Sequence, residues 1–137
     1  MSYQEAMTAQ HRSCDAAFAE IEQAAHRKDW VAAAEAARIF ITQTKAHFRF
    51  EEEVLFPALE AATPMAGGPV SVMCMEHTQM RELFGELRTA ADNRDIAFLH
   101  DVVETLLLLM QQHNMKEENI LYPIADQSLS DGLLGRF

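Results

Sequence analysis

The same pattern of histidine, glutamate and proline occurs twice in this chain of 137 residues. The segment HFRFEEEVLFP spans residues 47–57, and the segment HNMKEENILYP spans residues 113–123, an offset of 66 positions. The same offset relates His11 to His77. An internal duplication can preserve such matches by descent, but the matched positions are rich in His and Glu, which the packing of a core does not require. The pattern therefore indicates a duplicated functional site.

A cluster of helix-breaking residues divides the sequence near its midpoint. Pro64, Gly67, Gly68 and Pro69 form this cluster, and no other segment has so many breakers. Each half is predicted to contain two helices, because apolar residues recur at helical spacing and no strand pattern competes. The predicted helices run from a cap at Ser2 to about 26, from a cap at Asp29 to about 62, from about 70 to 91, and from about 95 to 126.

Short connections between four helices favour antiparallel neighbours. The predicted fold is therefore all-α, an up-down-up-down four-helix bundle with an internal two-fold repeat. We expect one domain over residues 1–137, with repeat halves of about 1–66 and 67–132, because this length suits a single core.

The spacing of His47 and Glu51, repeated by His113 and Glu117, places an imidazole and a carboxylate on one helix face. Residues four apart on a helix lie ~40° apart around the axis and about 6 Å apart along it. Apolar neighbours such as Ile120 predict that this face is buried. Buried carboxylates and imidazoles are costly unless they are paired or bind a cation, and no Lys or Arg pattern repeats with them.

A metal ion would offset that cost, and His with carboxylate suits iron, manganese or zinc. In a four-helix bundle, two metals commonly lie between facing helices with Glu side chains bridging them. Each metal would receive two nitrogens and two bridging oxygens, which with a solvent-derived bridge leaves about one open position. Ferritin-like bundles order their motif as Glu, two residues, His, so the order here argues against a ferritin. The predicted ligands are His11, His47, Glu51, His77, His113 and Glu117.

These segments, together with EHTQM around His77, resemble the cation-binding domain of the hemerythrin family over residues 3–126. The resemblance implies a four-helix bundle that holds two Fe ions as a non-heme di-iron centre with an oxo or hydroxo bridge. The family uses this centre for oxygen binding, for sensing, and in iron or nitric oxide stress responses. By motif, the six predicted ligands carry over to the family's ligand positions.

The chain departs from the family's oxygen carriers at two places. Those proteins have two histidines four apart on the third helix, whereas His77 has Met73 four positions before it and Arg81 four positions after it. They also use an acid five residues after the last histidine, which is Glu118 here, although the internal repeat favours Glu117. Glu118 therefore remains an alternative ligand. With one histidine fewer, open positions on both irons permit redox chemistry as well as reversible binding.

Charge and cysteine content restrict the partners and the compartment. Lys and Arg total 11, Asp and Glu total 21, and the net charge is −10, with no basic stripe to contact phosphates. Nucleic acid and anionic membranes are therefore not expected as partners. Two cysteines, no leader-like N-terminus and no apolar run long enough for a membrane span predict a cytoplasmic, soluble protein.

Three functions remain open from the sequence. The leading hypothesis is a di-iron protein that binds O₂ or a related small ligand, such as NO or peroxide, in sensing, storage, or iron or oxidative stress response. The second is a di-iron redox enzyme acting on peroxide, O₂ or NO. The third is a structural bundle that binds Zn or Mn. The pattern is more typical of a metal-binding protein than of a dedicated enzyme, and it assigns no catalytic residue.

Overall fold

A computed structural model describes the whole chain, residues 1–137, as an all-helical protein without strands. The α-helices are α1 Tyr3–His26, α2 Trp30–Phe50, α3 Phe56–Ala62, α4 Gly67–Asp92, α5 Ile96–Lys116 and α6 Tyr122–Ser128. Five-residue π-helical turns, Glu51–Leu55 and Glu117–Leu121, join α2 to α3 and α5 to α6. The result is a helical bundle with four long helical stretches. None of the helices has the length and apolar character needed to cross a membrane.

Side-chain caps set where three of the long helices begin. At the start of α1, the Glu5 N–H donates to Ser2 Oγ over 3.0 Å and the Ser2 N–H donates to Glu5 Oε2 over 3.1 Å, which forms a capping box. Asp29 and Asp95 cap α2 and α5 by accepting backbone N–H groups of the first turn. The predicted helix starts at these three caps are confirmed. Short polar side chains suit these positions because they satisfy N–H groups that have no partner within the helix.

The start of α4 differs from the sequence prediction. The helix begins at Gly67 rather than near residue 70, directly after a 3₁₀ turn at Pro64–Ala66. Pro69 thus lies in the first turn, where backbone N–H groups lack helical partners and a proline costs little. The breaker cluster does separate the two halves, but the third helix starts inside it.

A π turn precedes Pro57, and another precedes Pro123. In each turn the backbone bond spans five residues, from the Phe56 N–H to the Glu51 carbonyl and from the Tyr122 N–H to the Glu117 carbonyl. Proline has no N–H and its ring clashes with the carbonyl four residues earlier. Widening the preceding turn relieves that conflict, and single π turns are frequent at functional sites.

The π turns change which side chains face the core. The predicted inward position of Ile120 is wrong, since 49% of this side chain's surface is exposed. Leu55 and Leu121, which were also expected to face inward, are buried, and so are Phe56 and Tyr122. A π turn holds about one residue more than an α turn, so every later side chain is rotated around the helix axis. A prediction made at regular helical spacing does not include this rotation.

Two apolar clusters fill the bundle on either side of a polar layer. The larger cluster includes Phe18, Phe40, Phe84 and Leu106, and the smaller cluster includes Met7, Leu55, Phe56, Met73 and Leu121. Along each long helix, the buried His and Glu residues come between residues of one cluster and residues of the other. The polar layer is therefore enclosed by apolar packing at both ends.

The C-terminal tail packs against the end that holds the smaller cluster. Residues Asp131–Arg136 form a 3₁₀ helix, and the Tyr3 hydroxyl donates to the Ser130 carbonyl just before it. The Phe137 ring lies edge-on against Phe50 with 5.2 Å between centroids. The tail therefore has defined contacts although its sequence shows no periodicity.

Candidate metal centre

Four histidines from four different long helices meet in the polar layer. His11 of α1, His47 of α2, His77 of α4 and His113 of α5 are each at most 5% exposed. The Nε2 atoms of His11 and His47 are 3.1 Å apart, and the ring centroids of His77 and His113 are 4.9 Å apart. The histidines thus form two pairs, and each pair comes from one half of the sequence repeat.

Two fully buried carboxylates lie between these pairs. Glu51 Oε1 is 3.4 Å from His47 Nε2 and 3.2 Å from His77 Nε2. Glu117 Oε1 is 3.1 Å from His11 Nε2 and 3.2 Å from His113 Nε2. Each glutamate therefore contacts one histidine of each pair, which is the arrangement that bridging ligands require. The structure brings all six predicted residues together.

The hydrogen-bonding atoms of this layer do not satisfy one another. Glu51 Oε1, Glu117 Oε2, His77 Nε2 and His113 Nε2 are buried and have no hydrogen-bond partner. Buried polar atoms in native proteins are nearly always paired, so four orphans in one place require an explanation. A cation bound among them would supply the missing partner.

The distances also fit bound metal ions. Metal bonds to His nitrogen and carboxylate oxygen are about 2.1 Å long, which places neighbouring donor atoms ~3.0–3.4 Å apart. The separations of 3.1 to 3.4 Å lie in this range. The donor atoms fall into two groups, one of Glu51, His77, His113 and Glu117 and one of His11, His47 and Glu117. The side chains therefore offer two groups of candidate donors that have Glu117 in common.

Each histidine is held from behind through its Nδ1–H. His77 donates to Glu52 Oε2 and His11 donates to Glu118 Oε2, both over 2.7 Å. These contacts orient the rings and leave each Nε2 lone pair directed at the centre, as in many metal sites. Glu118 is thus a hydrogen-bond acceptor at the edge of the site, whereas Glu117 faces the cluster.

The other two histidines have a similar contact with different chemistry. The His47 Nδ1–H donates to the amide oxygen of Gln10 over 2.6 Å, whereas the His113 Nδ1–H donates to the carboxylate of Glu76 over 2.9 Å. Gln10 and Glu76 precede His11 and His77 by one residue and are separated by the same offset of 66. The two halves therefore differ here by one charge.

Tyr122 extends a hydroxyl group into the centre. This hydroxyl donates to Glu51 Oε2 over 2.6 Å and lies 3.0 Å from Glu117 Oε1. It is also 3.1 Å from His11 Nε2 and 3.3 Å from His47 Nε2. One hydroxyl proton cannot satisfy four acceptors, which again leaves unpaired acceptors in the layer.

Burial and charge shift the pKa values of the centre. Burial disfavours protonation of His113, but the charge of Glu117 and its hydrogen bond outweigh burial and raise the pKa of His113 to about 9. Burial also opposes ionisation of Glu51, yet His47 and the other partners hold its pKa well below the ordinary value. Burial, reinforced by Glu117 and Glu51, raises the pKa of Tyr122 well above its ordinary value. Without a cation, a proton on His113 thus offsets part of the negative charge of the centre.

The sequence analysis gave no role at the site to Gln10, Glu76 or Tyr122. A signal was present for all three, because Gln10 and Glu76 adjoin predicted ligands and Tyr122 replaces Phe56 at the repeat offset. Glu52 and Glu118, which directly follow the predicted ligands Glu51 and Glu117, contact His77 and His11.

Two cavities lie beside His47. A small one of about 10 Å³ is lined by His11, Cys14, Thr44, His47, Phe48, Met80, Met110 and Asn114. A surface depression of about 220 Å³ also has Cys14 and His47 in its lining, together with Ala46 and Phe137. A larger depression, of about 690 Å³, is lined by residues such as Trp30 and shares no residue with the His and Glu layer.

A buried layer of histidines and carboxylates within a helical bundle defines a metal-binding helical protein. Residues 3–125 match the family of the hemerythrin HHE cation binding domain. The chain belongs to this family, and the resemblance seen in the sequence is confirmed. Comparison with curated proteins and with solved structures gave no significant match.

Proposed function

We propose that this protein is a non-heme di-iron protein that binds O₂ or a related small ligand, such as NO or peroxide, in sensing, storage, or iron or oxidative stress response. One observation carries the proposal: six buried His and Glu side chains converge with four of their polar atoms unpaired. Enclosing these groups between two apolar clusters is costly unless cations are bound there.

The proposal assigns two metal positions. Position 1 is held by His11 and His47, and position 2 is held by His77 and His113. Glu51 and Glu117 contribute to both positions, in line with their distances to histidines of each pair. Glu117 is the proposed ligand rather than Glu118, because Glu117 is fully buried and Glu118 accepts from the outer nitrogen of His11.

The proposed architecture is an up-down-up-down bundle with an internal repeat, formed by one domain over residues 1–137. The order of the apolar clusters along the chain supports the alternation. Residues of the smaller cluster precede His11 and His77 in α1 and α4, whereas residues of the larger cluster precede His47 and His113 in α2 and α5. The contacts of Glu52 and Glu118 to equivalent histidines support the repeat.

Iron fits the donor set and the surroundings. Imidazole and carboxylate together suit iron, and bound iron would supply an open coordination position and a change of oxidation state. The side chains have separate roles: the Nδ1–H contacts hold the rings in place, and the Tyr122 hydroxyl directs a hydrogen bond into the centre. Phe48, which stacks on His77 with 3.8 Å between centroids, helps to exclude water.

The cavities beside His47 favour a small ligand. The inner cavity of about 10 Å³ touches both His11 and His47 and has room for little more than one water-sized group. Cys14 and His47 line both this cavity and the surface depression of about 220 Å³, so the depression is the proposed direction of entry from solvent. The walls of the inner cavity are largely apolar, as a site for an uncharged diatomic molecule would require.

A redox enzyme acting on peroxide, O₂ or NO is the second candidate. The position of Tyr122 favours it, since a phenol hydroxyl in direct contact with both bridging carboxylates can deliver a proton to the centre. Sustained consumption of peroxide or NO would support the enzyme, whereas stoichiometric reversible binding would support the binding protein.

Iron loading tests the proposal directly. Protein reconstituted with Fe²⁺ without oxygen should hold two irons per chain by elemental analysis, and exposure to air should produce ferric charge-transfer absorption. Added azide should then shift that absorption, because it occupies the open position. The variant His113→Gln should lose at least one iron per chain.

The chain supplies a matched control in His100, which contacts Glu22 at the surface and is far from the ligand set in sequence. His100→Gln should bind iron like the unaltered protein. Fewer than one iron per chain in the unaltered protein, or redox-silent binding of Zn²⁺ or Mn²⁺ only, would contradict the di-iron proposal. The second of these results would favour a structural metal.

A further inference from the structure

The two proposed metal positions differ in the groups that hold their histidines. Gln10 accepts from His47 at position 1, and Glu76 accepts from His113 at position 2. The remaining two histidines, one at each position, both donate to a carboxylate. Position 2 therefore has two carboxylate acceptors behind its ligands, and position 1 has one carboxylate and one neutral amide.

The charge of such an acceptor alters the ligand itself. A carboxylate that accepts the Nδ1–H makes the imidazole more basic and fixes its orientation, and loss of such a partner typically lowers metal affinity by about 10–100-fold. An amide oxygen fixes the orientation but polarises the ring less, because a charged acceptor forms the stronger hydrogen bond. Position 2 should thus bind a divalent cation more strongly.

The carboxylates at position 2 are also anchored. Arg81 donates two hydrogen bonds of 2.8 Å to Glu52, and Lys116 donates one of 2.6 Å to Glu76. At the repeat offset of 66, Asp15 occupies the position equivalent to Arg81. An ionised Asp15 has no hydrogen to donate to a carboxylate. Anchored acceptors keep the histidines in the geometry that metal binding requires, so less conformational freedom is lost on binding.

The two basic residues have an opposing effect, because their positive charges repel a bound cation. The side chains are 32% exposed for Arg81 and 44% exposed for Lys116, so solvent and salt screen that repulsion. The hydrogen bonds to the buried rings are screened much less. Donor atoms also favour position 2, where four residues offer ligand atoms close together, against three residues at position 1.

We propose that the two positions are unequal, that position 2 binds the first divalent metal ion, and that the difference between Gln10 and Glu76 sets this order. Position 1 then holds the more weakly bound and more readily exchanged ion. This inference depends on the proposed two-metal centre, but it concerns metal affinity rather than the reaction that follows.

Calorimetric titration with Co²⁺ alone, without oxygen, tests the order. The unaltered protein should bind two ions in steps that differ by about tenfold or more. Gln10→Glu should tighten the second step, and Glu76→Gln should weaken the first by about 10–100-fold. Gln43→Glu is the charge control, since this exposed residue lines the same surface depression as Gln10. It should leave both steps unchanged.

Removing one ligand identifies which position fills first. His47→Ala should leave the tight step intact, and His113→Ala should abolish it. The double exchange Gln10→Glu with Glu76→Gln keeps the net charge. In that background, His47→Ala should abolish the tight step and His113→Ala should leave it intact. Tyr122→Phe in the otherwise unaltered protein should preserve the difference in affinity between the two Co²⁺ binding steps.

The possible failures can be told apart. Binding of fewer than two Co²⁺ ions per chain would overturn the two-metal centre and this inference together. Two equal steps in the unaltered protein would overturn the inference alone, as would an unchanged order after the double exchange. A difference that disappears with Tyr122→Phe would assign the inequality to the phenol and would also overturn it.

Discussion

The Tyr122 hydroxyl donates a hydrogen bond to Glu51 Oε2 over 2.6 Å, although 71 residues separate the two in the chain. The same hydroxyl is 3.0 Å from Glu117 Oε1, so it touches both carboxylates that lie between the histidine pairs. On a regular α-helix, a side chain five residues after Glu117 would point about 140° away from it. The π turn that begins at Glu117 brings the ring of Tyr122 back over this carboxylate.

Tyr122→Phe should alter ligand binding without preventing iron loading. The second half of the chain would then match the first, which has Phe56 at the equivalent position. Loss of the hydroxyl frees Glu51 Oε2 and removes a hydrogen-bond donor from the centre, so the azide dissociation constant and the ferric absorption maxima should change. Absorption titration measures both quantities.

Tyr3→Phe is the matched control, because the Tyr3 hydroxyl contacts the Ser130 carbonyl rather than the metal centre. It should lower stability slightly and leave the azide titration unchanged. If both variants behave like the unaltered protein, the hydroxyl of Tyr122 has no part in ligand binding.

Glu117→Gln and Glu118→Gln should differ in iron content. Glu117 is shared by both proposed positions, so an amide in its place should remove at least one iron per chain. Glu118 only accepts the Nδ1–H of His11, so its amide should retain two irons and weaken position 1 by about 10–100-fold. Elemental analysis and competition with a chelator measure these effects. Normal iron content in Glu117→Gln, with loss of iron in Glu118→Gln, would reverse the ligand assignment.

Stability of the metal-free protein should fall as the pH rises from 6.5 to 9. The pKa of His113 is about 9 in the folded protein against 6.5 for the ordinary group. A raised pKa stabilises the folded state below the unfolded value and loses this contribution as the pH passes the folded value. For one such group the loss is on the order of 3 kcal/mol.

Urea unfolding with a chelator present, at pH 6.5 and at pH 9, measures this change. His113→Gln should reduce the difference between the two pH values. His100→Gln should preserve it, because the His100 ring is half exposed and contributes little through its surface ion pairs. A free energy of unfolding that is constant or rises over this range would contradict the prediction.

Access to the centre should depend on Ala46, which lines the surface depression next to His47. Ala46→Phe should fill part of this space and slow the binding of azide to the iron-loaded protein, with little effect on iron content. Stopped-flow absorption measures the rate. Ala34→Phe places the same ring in the depression near Trp30, away from the centre, and should leave the rate unchanged. Equal rates in the two variants would exclude this route.

The sequence by itself determined which residue types meet and roughly where the helices run. The constant offset identified the histidines and the Glu51 and Glu117 pair, since a functional requirement acts on residue identity. Ser2, Asp29 and Asp95 marked helix starts because capping is a local interaction between a side chain and the next turn. The offset is read directly from the sequence and the caps depend on neighbours in the chain, so both can be predicted from the sequence.

Tertiary structure decided how the two halves meet and which groups surround the predicted ligands. Gln10 and Glu76 became relevant only when packing placed them behind histidines 37 positions away. The π turns rotated Ile120 outward and Tyr122 inward, which regular helical spacing could not foresee. Such contacts join residues on different helices. One extra residue in a single turn rotates the later side chains and so changes which residues they contact.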